Sequence, residues 1–368
     1  MFYVSLVAIT CLVIPPVKQP KFAAETIDDK LDAAAGLTIG DVDGDGKPDI
    51  LLADGSRLVW YRNGDWKRFV ITDSLAENGN ACIAARDING DGKVEVAVGG
   101  LSVHYLIRPD NPTRHWTPAN LLHGYTVRGI QWVNTGNGKY QLIVLPEQTD
   151  TLFAFENGRD CIAAWKRRVI LQPLPLAHDL EVFDYGDREL FYISGDGGTL
   201  GYYFKEGHWV YHTDHWLARG RQLGKASIGS VASRNTYILA AMEPSPGRMV
   251  TVYAPRLMDS LLVHGKIKRV VLERKLNKGQ ALEAADLLDL QRDQVLAGWS
   301  ERNEDGDFGI KLYVPFNQYW EAIDVYWIDR GGIACENLQV ADMDGDGRPD
   351  IIATGGSTNN LKIYWNRT

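Results

Sequence analysis

An acidic pattern, Asp-x-Asp/Asn-x-Asp-Gly-x-x-Asp/Glu, occurs three times in the chain, always in the same surroundings. Residues 36–52 read Gly-Leu-Thr-Ile-Gly-Asp-Val-Asp-Gly-Asp-Gly-Lys-Pro-Asp-Ile-Leu-Leu. Residues 82–98 and 337–353 repeat the order of a short apolar run, an acidic loop and a second apolar run. Self-similarity of this kind marks a supersecondary unit that buries its apolar faces only against copies of itself. After each second run comes a Gly-containing turn or a run of small residues, and the first and last copies then carry an aromatic-tipped run, Leu-Val-Trp-Tyr at 58–61 and Leu-Lys-Ile-Tyr-Trp at 361–365. A fourth run, Trp-Lys-Arg-Phe-Val-Ile, closes the first copy at 66–71. Short β-rich runs between turn signals predict four strands per unit.

Weaker copies fill the middle. Residues 128–155 keep an uncharged loop, Asn-Thr-Gly-Asn-Gly-Lys at 134–139, and residues 165–170 nearly repeat 66–71. Further copies open at His178, Ala226 and Ala281, and the last of these is expected to end with residues 319–324. The final copy stops after its third strand, at Trp365. Residues 22–28 stand where residues 68–73 stand before the next copy. The chain is therefore predicted to be all-β: a seven-bladed β-propeller of four-stranded blades, with the N-terminal strand completing the C-terminal blade. An open solenoid would leave its ends uncapped, whereas a closed ring hides most sheet edges.

The acidic loops present hard oxygen donors at alternate positions. The first offers Asp41, Asp43, Asp45 and Asp49, with the carbonyl of Lys47 placed between them. The second offers Asp87, Asn89, Asp91 and Glu95; the third offers Asp342, Asp344, Asp346, the carbonyl of Arg348 and Asp350. Calcium takes six to eight such ligands. Carboxylates this close repel each other without a cation. An EF-hand is excluded, because it requires a bidentate Glu at position twelve and flanking helices. Here the twelfth residues are Leu52, Val98 and Ala353, inside apolar β-type runs. Two or three calcium ions are expected.

These loops between strands resemble the FG-GAP/VCBS repeats of integrin α-subunit propellers and of many bacterial exported proteins. The resemblance implies calcium in the loops and a seven-bladed ring. It implies no single activity, since such propellers include adhesion modules, lectins, lyases and dehydratases.

Propeller ligands commonly bind where the innermost strands begin. Aligned on the acidic loops, the position of Thr38 becomes Ala84, Arg128, Glu181, Glu283 and Gln339, with the fifth unit too diverged to place. Together with His178 and Glu336, the residues Arg128, Glu181 and Glu283 are expected to form a polar funnel able to bind a sugar, hold a metal or move a proton. The stretches around His178 and Glu336 are similar to bacterial propellers related to the propeller domain of aldos-2-ulose dehydratase; the resemblance transfers no catalytic residue.

The net charge of −8 argues against nucleic acid as a partner. The apolar run at residues 2–14 fits a signal peptide and is short for a bilayer span. Residues 1–24 are expected to be that leader and 25–368 a single domain, secreted or periplasmic, with no membrane span in the mature chain. Of the four cysteines, Cys11 lies in the leader, and Cys82, Cys161 and Cys335 form no disulfide framework or zinc spacing. The expected function is a binding module for extracellular carbohydrate or protein. A carbohydrate-active lyase or dehydratase is the alternative, and a structural scaffold is the third.

Overall fold

A computed structural model describes residues 19–73, 81–136, 138–147, 149–157, 165–184, 189–231, 236–244, 247–254 and 267–368. Residues 1–18 of the leader expected at 1–24, and Cys161, lie outside these residues.

The chain forms seven four-stranded antiparallel sheets and, among the described residues, no helix. The innermost strands are Ala34–Gly40, Cys82–Arg86, Val127–Gly136, Ala177–Asp184, Ala226–Ser230, Gly279–Ala285 and Cys335–Ala341, which open blades 1 to 7. The second strand of a blade reads as a continuous apolar run because it is covered on both faces. Every residue of Asp49–Asp54, Glu189–Gly195 and Gln294–Trp299 is buried. One face of blade 1 carries Leu51 and Trp60 against Ile83 and Val96 of blade 2. Its other face carries Ile50 and Leu52 against Ile352 and Ile363 of blade 7.

The ring closes as expected. Phe22–Asp28 pairs antiparallel with Asn360–Asn366, with Phe22 opposite Asn366 and Thr26 opposite Lys362. Two side-chain bonds reinforce the seam. The Trp365 indole donates to Glu25 at 2.7 Å, and the Tyr61 hydroxyl donates to Asp28 at 2.7 Å. One boundary differs from expectation: the fourth strand of blade 6 is Ile323–Arg330, not 319–324. Trp320 instead sits in the preceding turn with φ of 57° and fills the core.

Five innermost strands carry a β-bulge near their start, between Ala34 and Gly36, Val127 and Gly129, Ala177 and Asp179, Gly279 and Ala281, and Cys335 and Asn337. The extra residues are Ala35, Arg128, His178, Gln280 and Glu336. A bulge adds one residue and re-aims the chain. Gly36 follows the first bulge because a Cβ there would lie 2.2 Å from the carbonyl oxygen of Ala81.

Deleting residues 1–28 should leave blade 7 with three strands and a bare edge. We expect a stability loss of about 3 kcal/mol from the uncovered apolar surface and self-association in size-exclusion chromatography. An unchanged denaturation midpoint with a monomeric profile would contradict the closure.

Candidate functional site

Each innermost strand has two ends, and the chemistry gathers at both. At one end lie the acidic loops. In the first, Asp41 accepts hydrogen bonds from the amides of Gly44 at 2.7 Å and Gly46 at 2.8 Å. Both glycines have φ of 83°, so the loop folds around the carboxylate in a left-handed conformation. Asp49 is fully buried and accepts from the amides of Val42 at 2.9 Å and Asn63 at 2.8 Å. Oxygens of Asp41, Asp43 and Asp49 all lie within 4.8 Å of one another. Asp45 accepts from the Lys47 amide at 2.9 Å and stands outside that trio. Burial, together with the charges of Asp43 and Asp41, pushes the Asp49 carboxyl up to about 7.

The third loop repeats this plan. Asp342 accepts from Gly345 and Gly347, Asp350 accepts from Met343 and Asn366, and Asp342, Asp344 and Asp350 form the same trio. Arg367 donates to Asp344 at 2.8 Å and to Asp346 at 3.2 Å. Asp346 also takes the backbone amide and the guanidinium of Arg348.

The second loop is arranged differently. Asp87 accepts from Gly90 and Gly92 as before. Asn89, however, donates its side-chain amide to Glu95 at 2.9 Å. The Arg108 guanidinium lies 3.0 Å from Asp91 and 4.0 Å from Glu95. Blade 2 thus brings a fixed cation of its own to these carboxylates. Blade 1 has the neutral Asn63 at the corresponding point, and blade 7 has Asn366.

At the other end the innermost strands surround a cavity of about 470 Å³. The bulged residues Arg128, His178, Gln280 and Glu336 line it, so an irregularity of the strand puts these groups at the channel mouth. Most charges there are matched. Arg128 pairs with Glu147, Lys225 with Asp179 at 2.9 Å, and Glu336 with Lys278 at 3.5 Å. His178 Nε2 lies 3.5 Å from Asp196. Gln131, Gln280 and Gln339 also line the cavity. No aromatic side chain among the described residues does.

The bulges also correct the alignment of the funnel. Thr38 pairs with Leu51, and Gln131, Glu181, Glu283 and Gln339 occupy that register in their blades. Arg128 belongs to the bulge layer above. The expected set therefore splits into two levels. Arg128, His178 and Glu336 line the mouth, while Glu181 and Glu283 lie one layer down and do not line the cavity. In that lower layer Ser227 supplies the residue missing from the fifth blade. Its hydroxyl donates to Glu181 at 3.0 Å and accepts from the amide of Ala284 at 3.1 Å. Burial, and then the neighbouring Glu283, hold the Glu181 carboxyl well above the usual range. Burial pushes Glu283 up to about 7, with Lys225 opposing and Asp179 and Asp293 adding to it. Burial works against the Lys225 ammonium, but Asp179 and Glu181 outweigh it and hold its pKa above the ordinary value.

These features define a seven-bladed β-propeller with acidic loops between the first and second strands of three blades. Residues 23–98 match the FG-GAP-like repeat family. No curated protein matches the chain in sequence. Among solved structures the chain is similar to BBS1N in its complex with ARL6DN, with a TM-score of 0.58 at 12% identity over 94% of this chain and 96% of that one. It is also similar to the WD40 repeats of RRP9, with a TM-score of 0.56 at 13% identity over 94% and 97% of the two chains. U3-55K gives a TM-score of 0.55 at 14% identity over 94% and 99%. At these identities the likeness is one of fold alone.

The lower layer makes stability depend on pH. A carboxyl whose folded pKa lies above its unfolded value of 4.5 stabilises the fold while protonated. That contribution is fully present below the unfolded value and is lost as pH rises through about 7. Unfolding free energy should therefore fall across this interval, and Glu283→Gln should flatten the slope. An identical slope in the variant would contradict this account of the channel.

Proposed function

We propose that the chain is an exported binding module, braced by calcium, that holds a neutral, hydroxyl-rich ligand at the channel mouth. An extracellular glycan is the ligand class that fits. One observation carries this reading: the side chains of Gln131, Gln280 and Gln339 make no hydrogen bond among the described residues, yet all three residues line the cavity. Each amide offers donors and an acceptor at once, as a sugar hydroxyl does. The surrounding charges are already paired, which disfavours a strongly charged ligand. With no aromatic platform, recognition would rest on hydrogen bonds.

Glycan-array binding followed by calorimetry tests the reading. Gln280→Ala and Gln339→Ala should each weaken binding by about tenfold, in line with the loss of one or two hydrogen bonds. Glycan binding unaffected by both variants, or no glycan bound at all, would overturn it. The second reading is a lyase or dehydratase and rests on Glu181 and Glu283, two neighbouring carboxyls held toward their protonated forms. It requires turnover that disappears in Glu283→Gln.

Calcium is proposed for the loops of blades 1 and 7. Their trios offer oxygen donors alone, which suits a hard divalent ion. By the resemblance, the carbonyls of Lys47 and Arg348 would add to them. Blade 2 is proposed to need no ion, because Asn89 turns its amide onto Glu95 and, among the described residues, this loop gathers no carboxylate trio like those of blades 1 and 7. Elemental analysis should then find two calcium ions per chain. Chelation should lower the melting temperature, since an ion at a hundred times its Kd adds about 2.7 kcal/mol. Asp43→Asn and Asp344→Asn should each remove part of that response, and Asp87→Asn should leave it intact. A melting curve indifferent to chelator would contradict the proposal.

Export is proposed on the apolar run at residues 2–14. A cut ahead of Phe22 would preserve its pairing with Asn366, whereas one at Ala23 or Ala24 would not. Among the described residues no helix is long and apolar enough to cross a membrane.

A further inference from the structure

The two most exposed large hydrophobic side chains among the described residues share one strand. Leu171 is 71% exposed and Val169 is 60% exposed, and both belong to Lys166–Leu171. This is the outermost strand of blade 3 and the last in its sheet, so its outer edge has no strand partner among the described residues, the Tyr202 hydroxyl alone donating to the Leu171 carbonyl at 3.1 Å. Bare edges of this kind are usually blunted or covered. Here Arg167, Val169 and Leu171 fall on alternate positions and share one face.

Comparison between blades shows that Arg167 lacks what its counterparts have. Arg68 of blade 1 stands opposite Tyr61, and Arg269 of blade 5 stands opposite Tyr253. Each is matched by a buried carboxylate at the end of the second strand: Arg68 by Asp54, and Arg269 by Glu243. In blade 3 the same register puts Arg167 opposite Phe155, and Phe155 opposite Leu142. Asp54 and Glu243 lie four residues beyond Ile50 and Leu239, the partners of those tyrosines. Four residues beyond Leu142 is Pro146. Blade 3 has thus lost the carboxylate and the tyrosine hydroxyl but kept the arginine. Among the described residues the Arg167 guanidinium has no ion pair and lies over the Phe153 ring, 5.4 Å from its centroid.

The strand runs into a mainly apolar groove of about 680 Å³ lined by Leu171, Pro173, Leu174, Pro175, Leu176 and Tyr211, with Thr149, Asp150 and Gln172 as its polar members. Leu176 has φ of 46° and is 54% exposed. A left-handed backbone is costly for a leucine, and this one gains little burial in return.

We propose that this rim of blade 3 docks an extended acidic segment of a partner protein, which adds as a fifth strand beside Lys166–Leu171. Backbone bonds along the open edge supply register, as in other strand additions. A carboxylate of the segment pairs with Arg167, and its apolar residues cover Val169, Leu171 and the groove. With Asp150 in the groove, the acidic residues of the docked segment belong at the Arg167 end and not there. The cationic start and apolar end of the strand set the complementary order in the segment.

The probes are synthetic ten-residue peptides containing Glu-Thr-Val-Thr-Leu or its reverse, measured by fluorescence anisotropy and by hydrogen exchange of residues 166–171. One order should bind and slow exchange along the strand. Arg167→Glu and Leu171→Asp should each weaken binding by about tenfold or more, with unchanged melting temperatures. A Lys-for-Glu peptide should bind Arg167→Glu better than the original protein, and backbone N-methylation on the pairing edge should abolish binding. The proposal is overturned if neither order binds or if the N-methylated peptide binds equally well. It is also overturned if Arg167→Glu and Leu171→Asp instead abolish adsorption to phosphatidylserine vesicles or self-association of the chain, since the rim would then serve a membrane or a second copy.

Discussion

A sheet that is apolar on both faces has to be covered twice, and the whole molecule follows from that requirement. The second strands of blades 1, 2, 4, 6 and 7 are buried at every position. Fully burying one Val, Leu or Ile side chain stabilises a fold by roughly 1.5–3 kcal/mol, against a net stability of only about 5–15 kcal/mol. A gap between two blades would expose a whole face of each and exceed that margin. Seven blades meet the requirement by curving into a ring, and the ring leaves its last blade one strand short unless the chain returns to it. Phe22–Asp28 makes that return.

Ring geometry then decides where chemistry can occur. Innermost strands converge on a narrow channel, so their two ends are the places where polar groups from many blades meet. At one end the carboxylates are first of all structural. Asp41 and Asp49 hold the loop by accepting backbone amides, and Asp342 and Asp350 do the same in blade 7. The remaining negative charge needs an answer, and the blades differ in how it is given. Blade 2 answers with Arg108 from its own third strand region and blade 7 in part with Arg367, while among the described residues the trio of blade 1 has no guanidinium bonded to it. At the other end, bulges insert one residue per strand and so line the mouth with Arg128, His178, Gln280 and Glu336.

Much of this was legible in the amino-acid sequence, and the exceptions have physical reasons. The strands were visible because apolar runs and turn residues alternate at the right lengths, and the unpaired third strand at Trp365 pointed to the return of the N-terminal segment. The acidic loops announced their glycines and carboxylates directly. The loop at 134–139, by contrast, has lost its carboxylates and anchors the alignment poorly. Arg128 was set in the layer of Glu181, but Gln131, three residues ahead of Asn134 as Thr38 is ahead of Asp41, sits there, and Arg128 is the bulge residue. Ser227 was hidden because blade 5 has no acidic loop to count from. Arg108 was missed because its role depends on a long side chain folding back across its own blade. The fourth strand of blade 6 was placed too early because Trp320 resembles the aromatic strand openers elsewhere, yet it packs from a turn.

Ring closure is most directly tested by hydrogen–deuterium exchange of residues 22–28 in the intact chain. If these residues are the fourth strand of blade 7, their amides should be protected to a degree comparable with Arg68–Thr72, the outer strand of blade 1. Exchange of residues 22–28 at the rate of an unstructured peptide, alongside protected strands elsewhere, would mean that the ring is open and that the account built on it is wrong.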